Sequence, residues 1–81
     1  MKVRVLYFSV LKDLTGTGES EIDLAEGATV TDLLADAFQK WPALHAWDAS
    51  LLVAVDQTYA KRGTPLHEGA EVAVMPPVQG G

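Results

Sequence analysis

The sequence closes on Pro76, Pro77, Val78, Gln79, Gly80 and Gly81. None of these side chains ionises, so the chemistry on offer is the α-carboxylate of Gly81. A carboxylate is a poor electrophile until it is activated, most simply as an acyl-adenylate made from ATP. It can then be joined to an amine or converted to a thiocarboxylate. The segment suits delivery of such a group into another protein. Two prolines cannot donate ladder hydrogen bonds, so they lift the chain off a sheet and hold it near polyproline geometry. Six residues reach about 20 Å when extended. Glycines without Cβ atoms let a partner's backbone close around the chain. A frayed terminus accounts for flexibility, but not for two prolines followed by a bare glycine pair.

No other constellation reaches that level. His45 and His67 have no companion at ligand spacing and read as solvated surface residues. Ser9, Ser20 and Ser50 lack a nucleophile-elbow context, and no triad can be assembled. Gly16 to Glu19, "GTGE", lacks the Lys-Ser/Thr and following helix of a phosphate loop and reads as a turn. Asp32 and Asp36 repel mildly at i, i+4 and suggest no catalysis. The chain has no cysteine, which excludes disulfides, thiolate catalysis and Cys-ligated metal. No cofactor or metal is expected on this chain, and any ATP site belongs to a partner.

Composition narrows the classes further. The formal net charge is −5. Every charged residue from Asp13 to Asp36 is acidic, and the basic residues form no patch. Phosphate backbones and anionic membranes are poor partners for such a surface. Met1 leads directly into an alternating segment without a signal-length apolar stretch, and no run nears transmembrane length. A cytoplasmic location is expected. Eighty-one residues make one domain, 1–81, with 76–81 as an extended tail. Function is expected on a surface or at an end.

The elements that would position the tail read as follows. Residues 2–8 alternate as a strand, with Val3, Val5 and Tyr7 on one face and Lys2, Arg4, Leu6 and Phe8 on the other. Ser9 can cap a short helical turn that Gly16 and Gly18 break. Residues 19–24 form a second strand, with Ile22 and Leu24 inward. Val30, Leu33, Leu34, Ala37, Phe38 and Trp41 recur as one helical stripe, opened by a Thr29–Asp32 capping box and ended by Pro42. Residues 43–50 read as a loop or short turn with Trp47 folding back. "LLVAVD" is apolar on both faces and reads as a central strand. "QTYAKRGTPL" is a weak edge strand plus a turn. Residues 71–75 are the last strand, with Val72 and Val74 on one side and Met75 on the other.

The order ββαβ(β)β with one main amphipathic helix predicts an α+β fold. Adjacent first and last strands in a mixed four- to five-stranded sheet make it a β-grasp, the ubiquitin-like shape. If the helix covers the valine face, then Leu6, Phe8 and Met75 cluster on the open face with Tyr59 at the rim. Such a patch marks a partner.

The whole chain resembles the small, sulfur-carrying subunits of molybdopterin synthase, which are β-grasp proteins. The likeness rests on "VLYFSVLKDLTG", "LLVAVDQTYA" and above all "PLHEGAEVAVMPPVQGG". It implies that the Gly81 carboxylate is adenylated by an E1-like enzyme using Mg-ATP and converted to a thiocarboxylate. It implies that Pro76, Pro77, Val78, Gln79 and Gly80 thread into the large catalytic subunit. There sulfur passes to cyclic pyranopterin monophosphate, in an assembly that is usually a heterotetramer. The partner-facing positions of the family match Phe8, Lys12, Tyr59 and Met75, with Gln57 and Thr58 in the neighbouring loop. Lys12 stands where arginine is common and Met75 where phenylalanine is frequent. The alternatives are a ubiquitin-like protein modifier, a sulfur carrier for another pathway such as thiazole synthesis, and a binding domain with an inert tail.

Overall fold

Alternating β-branched residues and one apolar helical stripe organise the chain into β1 (Lys2–Tyr7), α1 (Val10–Thr15), β2 (Glu19–Asp23), α2 (Val30–Lys40), a 3₁₀ stretch (Pro42–Ser50), β3 (Leu52–Val55), β4 (Thr58–Tyr59) and β5 (Glu71–Met75). This is a computed structural model, and it describes residues 1–77. The sheet order is β2-β1-β5-β3-β4. β1 and β5 pair in parallel, and the other neighbours are antiparallel. The first and last strands are therefore adjacent, as the sequence predicts, and β5 is the central strand. β3 is interior, between β5 and the two-residue β4.

One face of this sheet is sealed. Val3, Val5, Tyr7, Ile22, Val53, Val72 and Val74 pack with Val30, Leu33, Leu34 and Ala37 of α2 in one buried cluster. Each fully buried Val or Leu contributes about 1.5–3 kcal/mol. The start of α2 is as expected. The Asp32 carboxylate accepts from the Thr29 backbone N–H at 2.8 Å and from its hydroxyl at 3.1 Å. At the other end the Trp41 N–H closes on the Ala37 carbonyl at 2.8 Å, and Pro42 starts the 3₁₀ stretch.

Three local expectations need correction. Ser9 makes no side-chain cap: its backbone sits at φ 54, ψ −132, outside the extended conformation that aims a cap hydroxyl at the first turn. β1 ends at Tyr7, so Phe8 lies just past the strand. The segment after Pro42 is a nine-residue 3₁₀ stretch rather than a simple loop, because it inserts Leu44 fully into the core. Trp47 packs half-buried against that core, as expected.

Candidate functional site

The ladder registers assemble the open face of the sheet. Leu6 pairs with Ala73, Ala73 with Ala54, and Ala54 with Tyr59. Side chains on paired residues share a face, so these four lie in one row across β1, β5, β3 and β4, away from α2. Two residues further along, Met75 pairs with Leu52. The Phe8 N–H donates to the Val74 carbonyl at 3.3 Å, which sets Phe8 beside Met75. The two alanines give the row a low floor between Leu6 and Tyr59.

The strands thus bring Phe8, Tyr59 and Met75 onto one surface. Tyr59 is 69% and Phe8 44% exposed, an unusual state for large apolar side chains. Leu6, Leu52, Ala73 and Met75 are half-buried. Lys12 is exposed on α1. Its stem runs past Gly18, where an added Cβ would come within 3.4 Å of Lys12 Cε. Pro76 and Pro77 follow Met75 half-buried, and the chain leaves the sheet there. Val78, Gln79, Gly80 and Gly81 lie outside the described residues.

A polar rim borders the row on its other side. Arg4 pairs with Glu71 across β1 and β5. Its Nε lies 2.6 Å from Glu19 Oε2 and an outer nitrogen 3.8 Å from Glu71 Oε2. Lys2 reaches Glu21 at 3.7 Å. Exposed pairs like these add little stability, but they order the charges around the apolar centre.

Sequence reading missed one constellation. The β3–β4 hairpin turns through Asp56 and Gln57, both left-handed at φ 49 and 71. That is a two-residue turn built without glycine. Asp56 is held by what surrounds it. Its N–H donates to the Glu71 carbonyl at 2.8 Å, and its Oδ1 accepts the Glu71 N–H at 3.0 Å. Its Oδ2 lies 2.6 Å from His67 Nε2, while His67 Nδ1 faces the Glu68 carbonyl at 2.9 Å. The Glu71 N–H and then the His67 ring hold the Asp56 carboxyl below its ordinary value. The bond to Asp56, then the Glu68 carbonyl, raises His67. His67 is therefore exposed but pinned, not freely solvated. No local spacing signals this, because Asp56 and His67 meet only once β5 returns between β1 and β3. His45 keeps a surface position, its ring 5.0 Å from Phe38.

Among the described residues no group of three or more His, Asp or Glu is placed to hold a metal ion. No helix among them is long and apolar enough to cross a membrane. What the geometry provides is an exposed apolar face from which Pro76 and Pro77 follow Met75.

Comparison with known proteins agrees with that layout. The ThiS family profile matches residues 5–81. The molybdopterin synthase sulfur carrier subunit of Escherichia coli is 40% identical, over 98% of this chain and 99% of its own length. A solved structure from Pyrococcus furiosus, described as a putative molybdopterin converting factor subunit 1, is 34% identical. It superposes with a TM-score of 0.88 over 96% of this chain and 99% of its own. SAMP1 from Haloferax volcanii is 27% identical and superposes with a TM-score of 0.88 over 100% of both chains. The chain belongs to the ThiS family and, within it, to the molybdopterin synthase sulfur carrier subunits.

Proposed function

We propose that this chain is the sulfur-donating small subunit of a molybdopterin synthase and that Gly81 is its reactive position. One observation carries the reading: the central strand ends at Met75, beside Leu52 and Phe8, and the two prolines follow at once. A partner that covers the apolar row therefore receives the tail at a fixed starting point.

The chemistry follows from the carboxylate. An E1-like partner holding Mg-ATP would let a Gly81 oxygen attack the α-phosphate, with pyrophosphate leaving. A sulfur nucleophile then displaces AMP to leave a thiocarboxylate. Inside the large subunit that sulfur passes to cyclic pyranopterin monophosphate, and two such transfers build a dithiolene. The small subunit supplies sulfur and position, while the acid–base groups come from the large subunit in a heterotetramer. We infer a cytoplasmic location for these steps, where ATP is available.

Deleting Gly81 should abolish sulfur transfer in a reconstituted synthase and leave the fold intact by circular dichroism. A deletion variant that unfolds would contradict the free-tail reading. A second reading, a ubiquitin-like modifier, draws on the likeness to SAMP1. It requires isopeptide-linked adducts of this chain on lysines, which mass spectrometry of cell extracts would reveal.

A further inference from the structure

Asp56 and His67 do more than close a turn. Both His67 nitrogens face groups that only accept: the Asp56 carboxylate at 2.6 Å and the Glu68 carbonyl at 2.9 Å. Only the doubly protonated ring can donate to both. Loss of either proton sets a nitrogen lone pair against an oxygen, whichever tautomer remains. The other charges nearby come from three elements. Glu68 accepts the Lys2 backbone N–H at 3.0 Å, Glu71 stands at the start of β5, and Arg4 of β1 reaches Glu71 at 3.8 Å. The surroundings of the ring are thus acidic on balance, which favours the imidazolium. The His67 side chain is 61% exposed, so the ring exchanges protons with bulk water.

The clasp acts on the docking face through a short lever. Asp56 and Gln57 hold left-handed backbones that non-glycine residues adopt at a cost. Three hydrogen bonds of Asp56, two with the Glu71 backbone and one with His67, stabilise that turn. Two residues beyond Gln57 is Tyr59, in register with Ala54 and 69% exposed. We propose that Asp56 and His67 form a proton-dependent clasp that sets the pose of Tyr59, so that docking of the large subunit weakens as His67 deprotonates. The docking half of this rests on the proposed function, and the clasp itself does not.

The test has two arms on the full chain. In isotope-labelled protein, the His67 ring nitrogens and the Tyr59 amide are followed by NMR as pH rises from mildly acidic to alkaline. The expected result is a shared midpoint above the ordinary histidine value, with the Asp56→Asn variant lowering the ring midpoint and silencing the Tyr59 response. A Tyr59 amide that stays still while His67 titrates would overturn the clasp. In the second arm, the Kd for the large subunit should rise about three- to tenfold through the same midpoint, the scale of one net hydrogen bond. The His67→Gln variant should bind with no pH step. Wild-type binding that is flat with pH would overturn the docking role. Absence of binding at every pH would overturn the proposed function and leave the NMR result to judge the clasp.

Discussion

Met75 pairs with Leu52 across the ladder between β5 and β3, so the last strand residue before the tail lies in an apolar row rather than at a polar edge. The tail is thereby rooted in the surface a partner would cover. Replacing Met75 by Asp puts a carboxylate into that row. The variant should remain folded, because Met75 is half-buried and at a strand end. Its affinity for the large subunit should fall more than about tenfold, since an unpaired charge would be desolvated on docking. Calorimetric titration would measure this, and an unchanged Kd would remove Met75 from the interface.

Tyr59 separates binding from stability more cleanly. At 69% exposure it contributes little to the core. Tyr59→Ala should change folding stability by less than about 0.5 kcal/mol. Tyrosine is among the side chains that most often carry interface affinity, so the same variant should weaken docking by about tenfold or more. A large loss of stability without a loss of affinity would place Tyr59 in the fold instead.

How far was this legible beforehand? The valine face, the α2 stripe and the adjacency of β1 and β5 follow from alternation and periodicity, and the structure has all three. The same alternation predicts Phe8 and Met75 on the open face. Leu44 and Leu11 were not foreseen as core, although both are fully buried. Their segments are short and carry no repeating pattern, so burial there is decided by where the chain crosses the core. The Asp56–His67 contact was also hidden, because it depends on long-range strand order and not on local spacing.

Leu44 gives a test of that hidden part. If the 3₁₀ stretch seals the core, Leu44→Ala should cost about 2–5 kcal/mol, a large share of a small domain's stability. Urea unfolding would measure it. A cost below about 1 kcal/mol would mean that the stretch lies on the core without completing it.

The β3–β4 turn predicts a gain. Gln57 holds φ 71, where glycine is unstrained. Relief of that strain, about 1 kcal/mol, is partly offset by the greater freedom of glycine in the unfolded chain. Gln57→Gly should therefore leave the chain as stable or slightly more so in urea. Marked destabilisation would show that the Gln57 side chain contributes more than its backbone costs.

The pH dependence of stability follows from the clasp with opposite signs at its two ends. Asp56 sits below its ordinary value of 3.8, so its contribution is present above that pH and is lost as pH falls through the lowered value. His67 sits above its ordinary value of 6.5, so its contribution is full below that pH and is lost as pH rises through the raised value. The urea midpoint should be flat between these limits and decline on both sides. Asp56→Asn should shrink the alkaline decline to the smaller part due to the Glu68 carbonyl, and a decline of unchanged size in that variant would assign it to another group.

The reactive position itself is tested most directly by intact mass. The chain is incubated with its E1-like activating enzyme, Mg-ATP and a sulfur source, and the product is weighed. The expected product is heavier by the difference between one sulfur and one oxygen, with fragmentation locating the exchange at Gly81. A mass that stays unchanged while the activating enzyme is demonstrably active would contradict sulfur carriage by this chain.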